Sequence, residues 1–140
     1  KFSSNNNRSQ LMPFNSNTII LDAYNANPVS MKHALETLSK FGKYKIAILG
    51  DMLELGKISK NEHEDIGQFV SNLKLDQVYY VGSRMKSAYL TNKHFLWFNN
   101  KNDLESELNK IQIKESVVLL KGSRSLILES LVPLIKKISA

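Results

Sequence analysis

The sequence predicts an α/β fold of the Rossmann-like kind, an open, mainly parallel sheet with helices on both faces. Short β-branched or apolar runs recur along the 140-residue chain, and segments with helical periodicity separate them. Several of the runs are apolar on consecutive residues, as a strand covered on both faces requires. Strands that alternate with helices imply right-handed crossovers and therefore parallel neighbours. With 42% hydrophobic residues the chain has material for one core, so one globular domain is expected.

Nine of the first 17 residues are Asn or Ser, so 1–17 reads as an interdomain linker or edge segment, with the domain proper, 18–140, beginning near Thr18. The chain starts at Lys1 rather than Met and is expected to be a piece of something longer. Strands are predicted over Thr18–Leu21, Lys45–Leu49, Gln77–Val81, His94–Phe98 and Ser116–Leu120. Asn27 before Pro28 sets a helix N-cap, and Met31, Ala34, Leu35 and Leu38 supply its apolar stripe. Ser59 with Glu62 suggests a capping box ahead of Ile66, Phe69, Val70 and Leu73, the clearest amphipathic pattern in the chain. A short helix is predicted over Arg84–Leu90, and Asn102 with Glu105 is placed to cap another that carries Leu104, Leu108 and Ile111. A last helix is predicted from Ser123 to Ile138, kinked by Pro133.

Composition excludes whole classes of chemistry. The chain has no cysteine, which removes disulfide scaffolds, thiol nucleophiles and zinc knuckles. Nineteen Lys and Arg against thirteen Asp and Glu give +6, a bias toward anionic partners. There is no aromatic and basic interleaving of the RNA-binding type, so no nucleic-acid partner is expected. No apolar run approaches the roughly eighteen residues of a membrane span and the start is not a signal peptide, so the expected place is cytoplasmic, without a membrane partner. His33, His63 and His94 stand about thirty apart with no H-E-x-x-H, and no metal site is expected. His63, in the acidic run Asn61–Asp65, reads as part of a solvated helical turn; His94 is taken to start a strand and Trp97 to pack in the core.

In an open parallel sheet, ligands gather beyond the carboxyl ends of the strands, which singles out three loops. Asp22–Pro28 offers Tyr24 for stacking and Asn25 and Asn27 for hydrogen bonds, just before a helix start that favours anions. Its structural alternative is a helix cap and turn. Gly50–Gly56 has five residues between its glycines and Lys57 followed by Ile58, so it is not the Walker pattern, and P-loop binding of ATP by this domain alone is not expected. Lys121–Ser125 sets Lys121, Ser123 and Arg124 at a predicted helix start, a credible carboxylate or phosphate site. Here the alternative is an ion pair of Arg124 with Asp51 or Glu129.

The string Asp22-Ala23-Tyr24-Asn25-Ala26-Asn27-Pro28, followed by Ser30-Met31 and Ala34-Leu35, closely resembles the opening of the C-terminal domain in the D-alanyl-D-alanine-adding branch of the Mur ligase family. Ile48–Gly56 with Glu62-His63, and Leu120–Arg124 with Glu129, are similar to that branch's later motifs, in the same order and spacing. Asn7-Arg8-Ser9-Gln10 looks like the interdomain linker, with Asn7 in place of the usual Gly; Ser125 likewise replaces a Gly. The resemblance implies one domain of a three-domain ligase. ATP would phosphorylate the carboxylate of a UDP-N-acetylmuramoyl-tripeptide and the amine of D-Ala-D-Ala would attack the acyl phosphate. It implies ATP with Mg²⁺ held mainly by the central domain, and that central domain and an N-terminal one as partners. The nucleotide would meet Arg8, Tyr24, Asn25 and Asn27. The dipeptide would meet Asp51, Glu54, Lys121, Ser123 and Arg124, with no catalytic residue assigned in this chain. A sister ligase or folate-type ligase is the nearest alternative, disfavoured by the Asn-Ala-Asn form of the first loop. A non-catalytic nucleotide-binding or interaction module of the same fold is the other; a G-K-[ST] motif upstream separates the two.

Overall fold

A computed structural model describes residues 9–140 of the chain. Six strands form one sheet, in the order β1-β2-β6-β3-β4-β5. The strands are β1 (Gln10–Phe14), β2 (Asn17–Asp22), β3 (Tyr44–Gly50), β4 (Gln77–Val81), β5 (Leu96–Phe98) and β6 (Ser116–Lys121). β1 pairs antiparallel with β2 at the edge, and all other neighbours are parallel. The sheet thus begins ahead of Thr18, through a hairpin that turns at Asn15, φ +53. Asn tolerates this left-handed conformation better than most residues.

The central strands are apolar on consecutive residues because both faces are covered. In β3, Ala47 and Leu49 pack on one face and Ile46 and Ile48 on the other; β6 divides the same way, Val117 and Leu119 against Val118 and Leu120. The first layer is built from α1 (Pro28–Ser39), α2 (Ser59–Ser71) and α3 (Lys86–Thr91). The second is built from α4 (Lys101–Leu108) and α5 (Val132–Lys137). The chain runs from β2 over β6 to β3, outward to β5, and back to β6, so the carboxyl ends of β2, β6 and β3 lie side by side at the reversal.

Of the five helix starts among the described residues, that of α1 follows the sequence, α3 opens at Lys86, two residues after the predicted Arg84, and the other three differ in cap or extent. Asn27 caps α1, accepting from the Ser30 N–H at 2.9 Å while the Asn27 N–H donates to Ser30 Oγ at 3.1 Å. Ser59 makes no capping bond: a 3₁₀ turn over Gly56–Ile58 precedes α2 and supplies its entry, so the first orphan donors lie upstream of Ser59. α4 is capped by Asn100, whose side chain accepts from Asp103 N–H at 2.9 Å, two residues before the predicted Asn102. The long final helix is replaced by 3₁₀ turns at Arg124–Leu126 and Leu128–Leu131 followed by α5. The break falls at Ile127, φ +51, and Pro133 sits in the first turn of α5, where it costs nothing. β5 begins at Leu96, and His94 is exposed in a turn, its N–H bonded to Asn92 Oδ1.

Candidate functional site

The three singled-out loops meet at the carboxyl edge of β2, β6 and β3, and buried groups tie them together. Lys121, 1% exposed at the end of β6, points its ammonium at Asp22 Oδ1 (3.0 Å) and the Asn25 carbonyl (2.9 Å). It therefore braces the first loop from below. Asp51, 5% exposed, accepts the Met85 N–H on Oδ1 at 2.8 Å, lies 3.7 Å from Arg84 Nη1 through Oδ2, and its carbonyl accepts the Ser123 N–H at 2.9 Å. One residue thus joins the loops after β3, β4 and β6.

Close backbone approach makes this possible. A Cβ on Gly122 would stand 2.9 Å from the Gly50 Cα, so the ends of β6 and β3 touch only because neither carries a side chain. Gly82, φ +114, lies directly against the Asp51 carboxylate and leaves no room for a methyl group.

Around these anchors the exposed residues face outward. Tyr24 is 43% exposed, and the Arg124 guanidinium carbon lies 5.3 Å from its ring centroid, a cation–π contact. Residues assigned by resemblance to two different ligands are thus neighbours. With Gln10, Leu21, Ala23 and Glu129 they line a pocket of about 280 Å³. Arg124 opens a three-residue 3₁₀ turn rather than a helix, so its own charge, not a helix dipole, dominates there. The ion pair with Asp51 weighed for Arg124 is made by Arg84 instead. Asn25 is exposed, with its side-chain oxygen accepting the Ala26 N–H at 2.9 Å, and Asn27 is committed to its cap. Ser123 is buried, its hydroxyl 3.2 Å from that of Ser125. Glu54 is exposed and held at φ +63, an unusual backbone for a residue with a side chain. Arg8 lies outside the described residues.

On the far side of the first loop, Asn27, Pro28, Val29 and Lys32 face Leu55 and Ile58 across an open groove. Val29 is 80% exposed and Ile58 53%, an apolar margin beside the polar edge. Sequence reasoning gave no site role to Gly82 or Arg84, and His63, read there as solvated, is fully buried. For His63 the adjacent buried Ile66 and Gly67 put its helix face against the sheet, the one signal present in the sequence. Trp97 is half-buried against the core, its indole N–H donating to the Gly82 carbonyl at 2.7 Å. Among the described residues no group of His, Asp and Glu gathers to hold a metal ion, and no helix is long and apolar enough to cross a membrane.

A mainly parallel sheet brings three cross-braced loops together at its reversal point, none of them a P-loop. The chain matches the family model for the Mur ligase, glutamate ligase domain over residues 7–124 and belongs to that family. Its relatives narrow the branch. It is 38% identical over 122 residues to a UDP-N-acetylmuramoyl-tripeptide–D-alanyl-D-alanine ligase of Buchnera aphidicola, covering 85% of this chain and 26% of that protein. It is 37% identical over 126 residues to the ligase of the same name from Bacillus subtilis, covering 82% and 27%. The chain therefore spans about a quarter of the length of these relatives. Among solved structures, a MurF from Acinetobacter baumannii superposes with a TM-score of 0.86 at 30% identity, over 93% of this chain and 30% of that one. The MurF ligase of Thermotoga maritima in complex with ADP gives 0.79 at 29% identity, with 93% and 30% covered.

Proposed function

We propose that the chain is the C-terminal domain of an ATP-dependent, amide-forming ligase that joins D-Ala-D-Ala to UDP-N-acetylmuramoyl-tripeptide in peptidoglycan precursor synthesis. What supports this reading is the braced edge of three loops, each resembling a motif block of the D-alanyl-D-alanine ligases. In this reaction the dipeptide amine attacks the carbonyl of an acyl phosphate, the C–N bond forms as the C–O bond to phosphate breaks, and the amine gives up a proton. The domain contributes proximity: it orients the amine and excludes water from an intermediate that water would hydrolyse. Its residues divide into braces and outward-facing groups. Asp51 and Lys121 hold loops; Tyr24 and Asn25 face the nucleotide; Arg124, with the Ser123 loop, meets the dipeptide carboxylate; Glu54 stands ready for the ammonium.

Lys121 and Asp51 thus serve ligands through the loops they fix. The exposed Val29 and Ile58 support burial of this margin against another domain of the longer protein, which on this reading carries the phosphate loop and the Mg²⁺ ligands and works in the cytoplasm. Mg²⁺ would neutralise phosphate charge there. In the longer protein, Asn25→Ala is expected to raise the Michaelis constant for ATP more than that for the dipeptide, and Glu54→Gln to do the reverse. Unchanged ATP dependence in a folded Asn25→Ala protein would return the first loop to a helix cap and turn.

A further inference from the structure

His63 is fully buried on α2, beneath the loop that follows β3. Its Nε2 lies 3.0 Å from the Met52 N–H, which can only donate, so Nε2 must carry the lone pair. The proton of the neutral ring is then on Nδ1, 2.7 Å from the Ser59 carbonyl, with Ser59 Oγ 3.3 Å away. One ring therefore joins the backbone of the loop to the backbone at the start of α2. Between those two points the chain holds two residues in the left-handed region, Glu54 at φ +63 and Gly56 at φ +57. Leu or Phe would fill the space, but neither accepts a hydrogen bond, and a buried N–H without an acceptor is costly.

We propose that His63 is a positioning residue. As a neutral imidazole protonated on Nδ1, it fixes Met52 and so sets the path of the Asp51–Gly56 loop, and with it the Glu54 carboxylate, for the incoming amine. The proposal rests on the assignment of this loop to the dipeptide. Gln in place of His can put Oε1 where Nε2 stands; Leu cannot. In the longer ligase, His63→Leu is expected to raise the dipeptide Michaelis constant at least about tenfold while that for ATP moves less than about twofold. His63→Gln is expected to stay within about threefold of wild type for both. A wild-type dipeptide constant in His63→Leu, or equal impairment of the two variants, overturns the proposal.

The wild-type 140-residue chain gives a readout that needs no variant to fold. Its nitrogen-15 histidine spectrum near neutral pH is expected to show Nδ1 protonated and Nε2 bare for His63, with a slowly exchanging Met52 amide. A proton on Nε2, or a Met52 amide that exchanges as in an open loop, overturns the clamp. Failure of the functional assignment shows separately. If Glu54→Gln leaves the dipeptide constant unchanged while His63→Leu still exposes the Met52 amide, the loop serves another ligand and His63 remains its clamp.

Discussion

Replacing Lys121 with Met tests whether the loop edge is held from below. The side chain is 2% exposed and its ammonium has two partners, Asp22 Oδ1 at 3.0 Å and the Asn25 carbonyl at 2.9 Å. Met fills most of the lysine volume, so packing is nearly conserved and the electrostatic loss dominates. Removing one member of a buried ion pair typically costs about 3–5 kcal/mol because the other charge stays behind. Asp22 is 16% exposed, so water recovers part of its solvation and the lower end of that range applies, about 3 kcal/mol. For a domain of this size that is a fall in melting temperature of roughly 10 °C, read by calorimetry or circular dichroism. Asp22→Asn in the Lys121→Met background should cost much less than the sum of the two single changes, since the double variant removes both members of the pair. On the proposed function, the longer protein's ATP constant should rise, because Lys121 fixes the first loop. A melting temperature within about 2 °C of wild type would refute the brace.

Other outcomes follow from the same geometry. Asn27→Ala removes one half of a reciprocal cap and should cost about 1 kcal/mol in urea denaturation. Gly82→Ala should cost about 2 kcal/mol or more, since it forces an L side chain to φ +114 against the Asp51 carboxylate. Burial, then the charge of Glu107, pushes the Tyr79 phenol from 10.0 up to about 12. Because the folded form holds this proton more tightly than the unfolded chain, stability from it is complete below pH 10 and is lost between 10 and 12, roughly 2–3 kcal/mol. Tyr79→Phe should flatten that part of the alkaline stability curve. The purified 140-residue chain should release no phosphate from ATP above a buffer control.

The layered sheet was legible because the apolar runs of β3, β4 and β6 occupy both faces, a pattern that a half-exposed strand does not produce. The cap at Asn27 was legible for a local reason, a side chain three residues from the N–H it accepts and a proline at the first helical position, where no donor is needed. The failures have two physical sources, competing neighbouring turns and caps, and long-range contact. Ser59 has the spacing of a capping residue, but the 3₁₀ turn before it takes over the entry to α2. Ile127 has no helix-breaking chemistry; its left-handed backbone goes with a carbonyl that receives the Lys101 ammonium at 3.0 Å, from another element of the fold. Likewise the loops that carry Tyr24, Asp51 and Arg124 could be picked out by their place after strands. Which of their polar groups face outward could not, because Lys121 and Asp51 are committed by partners far away in sequence. His63 is the sharpest case: four acidic or amide neighbours argue for solvent, and a single backbone N–H eleven residues upstream decides otherwise.

On the proposed function, this edge receives D-Ala-D-Ala in an ATP-dependent ligation. Its most direct test is the rate of ADP formation by the longer protein with UDP-N-acetylmuramoyl-tripeptide, followed as D-Ala-D-Ala is titrated, for wild type and Arg124→Lys. Lysine keeps the charge but loses the two-pronged grip on a carboxylate. Wild type is expected to show dipeptide-dependent turnover, and Arg124→Lys a dipeptide constant at least about tenfold higher, with the ATP constant little changed. ADP formation indifferent to the dipeptide, or superimposable dipeptide titrations for the two proteins, would contradict it.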